Sequence, residues 1–181
     1  MSSRRLIRAT FVAAITTIPM LTGCVACPPS MTNFERGAGE LASTQVGNIA
    51  EIIAQERPDA FVGSAISDVG GDPATLYIKG PRDGCIDQLV SSASVSIVVA
   101  YDQPFSFAEL EARQRRVHES LLVVTDNVGI GFDITRRGMM EVTVTRSDRL
   151  PDTDAVMELI PPDLRDSVEV QLVADDVGDG G

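Results

Sequence analysis

The chain has 181 residues, and its 15 Lys and Arg side chains stand against 26 Asp and Glu side chains, a formal net charge of −11. This acidic balance excludes nucleic acid binding through bulk charge and favours a basic partner, unless the acidic residues only keep the surface solvated. A hydrophobic fraction of 44% is enough for one folded domain, and the absence of Trp predicts an aliphatic core.

The first residues carry the parts of a secretory signal peptide. Arg4, Arg5 and Arg8 form a basic start, and an apolar run covers residues 9–21. About 13 apolar residues are too few for a stable membrane-spanning helix, which needs roughly 20. We therefore expect residues 1–23 to be removed, which leaves 12 basic and 26 acidic side chains, a net charge of −14.

The sequence Leu-Thr-Gly-Cys at residues 21–24 resembles the lipobox of bacterial lipoproteins. In that family the cysteine sulfur receives a diacylglycerol, the chain is cut just before the cysteine, and the new amino group is often acylated. The resemblance implies cleavage between Gly23 and Cys24, and an acylated Cys24 on the extracytoplasmic face of the cell membrane. Two or more acyl chains anchor a protein stably. The alternatives are an ordinary cleaved signal followed by a chance cysteine, and an N-terminal helix buried in the fold.

Two cysteines remain once Cys24 carries lipid. Disulfides persist in exported proteins, so Cys27 and Cys85 are candidates for a bridge that joins the tether to the body. Free thiols, or an unpaired Cys27 beside an acylated Cys24, remain the alternatives, because the sequence does not show whether the two Cα atoms approach each other.

The chain divides into four further expected elements before its middle. Residues 24–33 are predicted to be a lipidated, stiff and extended tether, since Pro28 and Pro29 disfavour helix. A helix is expected from Phe34 to about Arg57, with Pro58 ending it. Two β-rich runs around a Gly-Gly-Asp-Pro turn predict a hairpin, and a short helix follows at residues 85–92.

The middle of the chain holds the strongest strand signal and a helix with a recognisable start. Residues 94–101 form a nearly continuous apolar run, which predicts a strand buried on both faces. Ser106 and Glu109 have the spacing of a capping box that begins a helix from Phe107 to about Val123. This helix is expected to turn four aliphatic side chains inward and one basic surface outward, a possible partner contact. The inward set is Leu110, Val117, Leu121 and Leu122, and the basic set is Arg113, Arg115 and Arg116.

The second half repeats the pattern of the first. At an offset of 66 residues, Val62-Gly63 falls on Val128-Gly129 and Leu76 on Val142. We predict an α+β fold in residues 34–173, a single domain of two β-hairpin–α–β units joined by a long helix and preceded by an N-terminal helix. The two units are expected to share one sheet. Residues 174–181 are predicted to be a disordered acidic tail.

The body also resembles the pro-regions of secreted bacterial proteases of the α-lytic protease and streptogrisin type, over residues 34–173. The matching features are Phe61-Val62-Gly63, Gly131-Phe132-Asp133, Tyr101 at a strand end, and Phe107 with Leu110 on the following helix. The lone His118 lies in the middle of a helix, so the resemblance implies a folding assistant or protease-binding module and not a protease.

The sequence predicts no catalytic residue, cofactor or metal. His118 lies on a mostly polar helix, and the chain has no second His to complete a zinc ligand set. We therefore expect a non-enzymatic protein-binding lipoprotein whose partners are the membrane and an exported protein, with no nucleic acid. Two alternatives stay open: a carrier of a small molecule or lipid, and an envelope enzyme that uses an acid pair such as Asp133 with Glu141.

Overall fold

The computed structural model of the chain describes three ranges, residues 26–34, 41–66 and 73–174. The predicted signal peptide, the cleavage site at Gly23 and Cys24, and residues 175–181 of the predicted tail lie outside them. No helix within these ranges is long and apolar enough to cross a membrane.

The described part of the fold contains five α-helices and six β-strands. The helices are α1 (Pro29–Thr32), α2 (Ala42–Glu56), α3 (Gly84–Ser91), α4 (Phe107–Leu121) and α5 (Thr153–Leu159). The strands are β1 (Phe61–Ala65), β2 (Ala74–Lys79), β3 (Ile97–Gln103), β4 (Val128–Asp133), β5 (Met139–Thr145) and β6 (Val168–Val173). The predicted α+β class is confirmed.

The strands form two separate sheets, in the spatial orders β1-β2-β3 and β4-β5-β6. In each sheet the first two strands form an antiparallel hairpin, and the third joins the second in parallel after a helix. The prediction of one shared sheet is wrong, because each sheet has its own covering helices and its own cluster of buried side chains. We call α1–α3 with β1–β3 the first lobe, and α4, α5 and β4–β6 the second lobe.

The two lobes repeat the same strand register. Their hairpins correspond at the offset of 66 residues seen in the sequence, and their third strands at an offset of 71. The matched pairs are Gly63 with Tyr77 and Gly129 with Thr143 in the hairpins, and Leu76 with Val99 and Val142 with Val170 in the parallel ladders. The predicted repeat is confirmed.

The repeated unit is longer than the sequence predicted, because a 15-residue helix comes directly before the hairpin in each lobe. Ile49 and Ile53 of α2 pack into the core of the first lobe, and Val117 and Leu121 of α4 pack into the second. The same four-residue spacing places one face of each helix on its sheet. The unit is therefore helix–hairpin–helix–strand, written twice, and α2 and α4 are equivalent helices.

The capping box of α4 is present as predicted. Glu109 N–H donates to Ser106 Oγ over 3.4 Å, and Ser106 N–H donates to Glu109 Oε2 over 2.7 Å. At the other end the helix stops at Leu121, and Leu122 is 47% exposed. The prediction that Leu122 points inward is wrong, because this residue lies in the turn after the helix, where helical spacing no longer applies.

Strand β3 is not buried on both faces. It begins at Ile97, lies at an edge of its sheet, and alternates between partly buried and exposed side chains, with Val98 49% exposed. The apolar run predicted a central strand. Only the face that meets the helices is covered here, so the prediction of burial on both faces is wrong.

The predicted extended tether is also wrong over its second half. Pro29–Thr32 is one turn of helix with Pro29 at its first position, where proline costs no hydrogen bond. Met31 on this turn is 1% exposed and belongs to the core of the first lobe. The burial of this one large side chain offsets the weak helix propensity of the segment.

The two lobes contact each other directly. Ile134, in the turn between β4 and β5, lies so close to β1 that a Cβ on Gly63 would be 2.9 Å from its Cδ1 atom. Lys79 Nζ, on β2, donates to both carboxylate oxygens of Glu109 over 2.6 and 2.7 Å. Glu109 therefore caps α4 and pairs with the first lobe at the same time.

Candidate functional site

The first functional feature of the described chain is a disulfide that fixes its N-terminal segment. Cys27 and Cys85 are bonded, with their Cα atoms 5.4 Å apart. This is the pairing that the sequence left open. Cys85 is the second residue of α3, whose first turn is capped by Asp83, which accepts hydrogen bonds from Cys85 N–H at 2.8 Å and Ile86 N–H at 3.4 Å.

Two further contacts hold the same segment against the first lobe. Met31 is buried, and Ser30 Oγ donates to Glu56 Oε1 at the end of α2 over 2.5 Å. Cys27 lies three residues after Cys24, and three extended residues span at most about 11 Å.

A wide surface depression of about 740 Å³ lies beside the disulfide. Three basic side chains line it, Arg57, Lys79 and Arg82. Each is paired with a carboxylate, so the depression offers no free cation from these residues. The pairs are Arg57 with Asp83 at 3.3 Å, Lys79 with Glu109 at 2.6 Å and Arg82 with Asp87 at 2.5 Å.

A tyrosine ties α3 to strand β3 near this depression. Tyr101 OH donates to Asp87 Oδ1 over 2.9 Å and lies 3.1 Å from the carbonyl oxygen of Asp83. Burial and the neighbouring Asp87 carboxylate raise the pKa of Tyr101 above its usual range. Burial opposes ionisation of Asp87, but hydrogen bonds from Arg82 and Tyr101 outweigh it and lower the pKa of Asp87. Arg82, Asp87 and Tyr101 also line a second open depression of about 440 Å³ on the surface between α3 and β3.

The three arginines predicted as one basic surface point in different directions. The guanidinium of Arg113 lies 4.0 Å above the ring centre of Phe105, and its Nη2 donates to Ser167 Oγ over 2.5 Å. Its Nε is buried without a hydrogen-bond partner, and this burial lowers the pKa of Arg113. The prediction that Arg113 lies on the outer face is wrong, because a cation–π contact with Phe105 holds it inside.

The other two arginines, Arg116 and Arg115, differ from Arg113 and from each other in their contacts. Arg116 forms a two-pronged ion pair with Asp163, with both N–O distances 2.9 Å. Arg115 is exposed, and within the described ranges it makes no hydrogen bond or ion pair. Of the three arginines, only Arg115 is free to meet a partner.

Arg115 lines a groove of about 430 Å³ between α4 and the edge strand β4, which we call the α4–β4 groove. Its helix wall is polar and its strand wall is apolar. The lining residues are Glu111, Gln114, Arg115 and His118 from α4, and Val128 and Ile130 from β4. At one end of α4, Phe107 is 41% exposed and its ring packs edge-on against Phe132 at 5.7 Å.

One side chain crosses this groove. Gln114 Nε2 donates to the carbonyl oxygen of Ile130 over 2.6 Å, which satisfies an acceptor on the open edge of β4. Sequence analysis missed this contact. A glutamine among charged residues in the middle of a helix carries no signal of the strand edge beside it.

The two acids considered for an enzyme, Asp133 and Glu141, both make contacts within the β4–β5 hairpin and its neighbours. Asp133 Oδ1 accepts hydrogen bonds from Thr135 N–H at 2.8 Å and Thr135 Oγ1 at 2.7 Å, and these bonds lower the pKa of Asp133. Glu141 instead lies 3.6 Å from Arg136, which also pairs with Glu169. Arg136 also contributes to lowering the pKa of Asp133, so both carboxylates lie near the same guanidinium.

Neither a metal cluster nor a known relative adds a further candidate site. Across residues 26–34, 41–66 and 73–174, no group of three or more His, Cys, Asp and Glu side chains is arranged to hold a metal ion. No protein-family model matches the sequence, and no curated protein matches it significantly.

Proposed function

We propose that this protein is a cell-envelope lipoprotein, held on the extracytoplasmic face of the membrane by acylated Cys24, and that its repeated body is a non-enzymatic protein-binding module. The resemblance to protease pro-regions favours an exported protein as the partner, and a role as a folding assistant or regulator. The sequence motif at residues 21–24 and the arrangement of the following residues support the two halves of this proposal.

The observation that carries the anchoring half is the disulfide at Cys27. A bridge of this kind persists in exported proteins and is rare in the cytosol. It locks the chain three residues beyond the lipobox cysteine, and the buried Met31 holds it a turn later. A lipid on Cys24 would thus be linked to Cys27, and through the disulfide to α3, by a stretch of at most about 11 Å.

The binding half draws support from exposed strand edges. Each three-stranded sheet has two edge strands, and edge strands offer backbone hydrogen bonds to a partner strand. The α4–β4 groove adds a free basic side chain beside one such edge. The carboxylates that could suggest catalysis are occupied by structural partners.

The test of anchoring is membrane fractionation of the wild-type protein and Cys24→Ala. We expect the wild type in the membrane fraction and Cys24→Ala in the soluble fraction. The double variant Cys27→Ser/Cys85→Ser is the control, and it should stay with the membrane, because the disulfide positions the body but does not anchor it. A Cys24→Ala protein that remains in the membrane fraction would contradict the proposal.

The binding half has its own test. A photoreactive residue placed at several exposed positions of the body should give discrete crosslinks to an exported protein in intact cells. Monomeric protein without crosslinks from any position would contradict it.

A further inference from the structure

The second lobe is a natural control for the Cys27–Cys85 bridge of the first lobe. The helices α3 and α5 occupy equivalent places between the second and third strands of their sheets, and both start at an aspartate cap, Asp83 and Asp152. The sequence of the second lobe contains no cysteine, and Val156 of α5 is still fully buried in the core of that lobe. The repeated unit therefore does not need a bridge to hold its second helix on the sheet.

The bridge adds a link to a segment that has no counterpart in the second lobe. Residues 27–34 come before α2, whereas strand β3 and its turn come before α4. Two further contacts hold this segment, the burial of Met31 and the hydrogen bond from Ser30 Oγ to Glu56 Oε1. The bridge therefore acts on the N-terminal segment, and it fixes that segment three residues beyond Cys24.

The bridge is accessible from the open depression beside it. Both cysteines line this depression of about 740 Å³, and Cys27 is half-buried whereas Cys85 is buried. Accessible bridges are the labile or regulatory ones. Cys85 is the second residue of α3, where the aligned amide dipoles of the helix stabilise a thiolate, and the opposing carboxylate of Asp83 is paired with Arg57 at 3.3 Å. Cys27 is therefore the sulfur open to attack, and Cys85 is the leaving sulfur.

We infer that the Cys27–Cys85 bridge is a redox-controlled clamp, which a dithiol reductant opens in the folded protein to lengthen the connection between the membrane anchor and the body. This inference rests on the proposed function and adds a regulation of its anchoring half. With the bridge closed, the stretch from Cys24 to the body is at most about 11 Å. With the bridge open, the next attachment is Ser30, six residues from Cys24, and the limit becomes about 22 Å.

The opening step is a thiol–disulfide exchange. One thiolate of the dithiol attacks Cys27 Sγ, the S–S bond breaks, and its electron pair leaves on Cys85 Sγ, which takes up a proton. The second thiolate of the dithiol then attacks the reductant's own sulfur in the mixed disulfide, so that Cys27 leaves as a thiolate and takes up the other proton. The protein gains two electrons and two protons, and the dithiol is oxidised to a disulfide.

Reduction of the native protein tests whether the folded body permits this step. The full chain is incubated with dithiothreitol in the absence of denaturant, trapped with iodoacetamide and analysed by peptide mass. We expect alkyl groups on both Cys27 and Cys85, with the far-UV circular dichroism and the amide protection of α5 unchanged. A bridge that opens only at urea concentrations that unfold the body would overturn the inference.

A monothiol identifies the sulfur that is attacked. Partial reaction with glutathione, followed by trapping with iodoacetamide, leaves the mixed disulfide on one cysteine and an alkyl group on the other. We expect glutathione on Cys27 and the alkyl group on Cys85 in most of the reacted molecules. The reverse pattern would overturn the assignment of Cys27 as the attacked sulfur.

Fluorescence quenching tests the longer connection to the membrane. A fluorophore is placed on a non-thiol unnatural residue at Gln88, an exposed position beside the same depression, and the lipid headgroups of phosphatidylcholine vesicles carry the quencher. Dithiothreitol should lower the quenching of the lipid-anchored wild type, because α3 then lies farther from the membrane on average. Equal quenching before and after reduction would overturn the clamp.

The double variant Cys27→Ser/Cys85→Ser is the matched control for this measurement. Its quenching should be low from the start and should not respond to dithiothreitol. A decrease in this variant equal to that of the wild type would show that the dithiol acts elsewhere, and it would overturn the clamp.

Failure here is distinguishable from failure of the proposed function. A bridge that resists reduction in a folded protein whose Cys24 carries lipid would overturn the clamp and leave the anchoring half standing. A Cys24 without lipid would contradict the anchoring half itself, and the clamp with it.

Discussion

The two lobes have the same order of elements, but their equivalent edge strands, β1 and β4, make different contacts. β1 has a bulge between Phe61 and Gly63, and Ile134 from the other lobe lies against Gly63. β4 has a regular pairing, and its edge acceptor is met only by the side chain of Gln114 within the described ranges. The two copies therefore meet equivalent edges with different contacts, Ile134 of the other lobe at β1 and the Gln114 side chain at β4.

The lobes also differ in whether the basic side chains that line their surface depressions are paired with carboxylates. In the described part of the first lobe, Arg57, Lys79 and Arg82 are each paired with a carboxylate around the disulfide. In the second lobe Arg115 remains unpaired in the groove. In our proposal the first lobe holds the body to its anchor, and the second lobe presents the edge that binds a partner.

The largest predicted effect concerns the disulfide and should fall on the first lobe. Cys27→Ser/Cys85→Ser should lower the free energy of unfolding by about 2–4 kcal/mol, because the bridge closes a loop with a separation of 58 residues in the unfolded chain. Urea unfolding measures the total loss in free energy of unfolding, and hydrogen exchange shows which elements lose stability. Amides of α1 and α3 should lose protection first. An equal loss along β4 and β5 would contradict the difference between the lobes.

A smaller effect is expected at the contact of the β4–β5 turn with α4. Gly138 has a φ of +78°, and a Cβ there would be 2.5 Å from Leu110 Cδ2, so Gly138→Ala should lower the free energy of unfolding by about 1–3 kcal/mol. Gly47 in α2 has open space around it, and Gly47→Ala should instead raise that energy by about 0.5–1 kcal/mol. Thermal or urea unfolding separates the two. If both substitutions changed the free energy of unfolding in the same direction, the assigned packing of Gly138 against Leu110 would be wrong.

The smallest predicted effect is the pH dependence of the stability that the Lys79–Glu109 contact between the lobes contributes. The hydrogen bond from Lys79 holds the pKa of Glu109 below its ordinary value of 4.5. The folded state therefore favours the carboxylate, and the resulting stability is present above pH 4.5 and lost as the pH falls through the lower folded-state pKa. Because Glu109 is half exposed, we expect less than about 1 kcal/mol.

Urea unfolding at about pH 6 and about pH 3 checks this dependence. Glu109→Gln should reduce the loss between the two conditions, whereas Glu119→Gln, at an exposed site on the same helix, should leave it unchanged. A larger reduction in Glu119→Gln would contradict the assigned pairing.

Features set by neighbouring residues could be predicted from the sequence. The capping box of Ser106 and Glu109 depends on four consecutive residues, and the hairpins depend on local alternation and turns. The offset of 66 residues followed from the same local patterns. These elements formed where the sequence indicated them.

Features set by distant parts of the chain could not be predicted. The edge position of β3 depends on strand order, and the helical turn at Pro29 depends on the burial of Met31 in a core built later in the chain. The separation of Arg113 from Arg115 depends on Phe105 and Ser167, of which Ser167 lies 54 residues away. Composition alone treats these arginines as equivalent.

The central claim is that this body is held to a membrane by Cys24. The most direct measurement is the intact mass of the protein extracted from membranes, before and after reduction. We predict a chain that begins at Cys24, with the added mass of a diacylglycerol group and further acylation, and a gain of two hydrogens on reduction of the Cys27–Cys85 bridge. A chain that retains residues 1–23, or one that begins at Cys24 without acyl mass, would contradict the account.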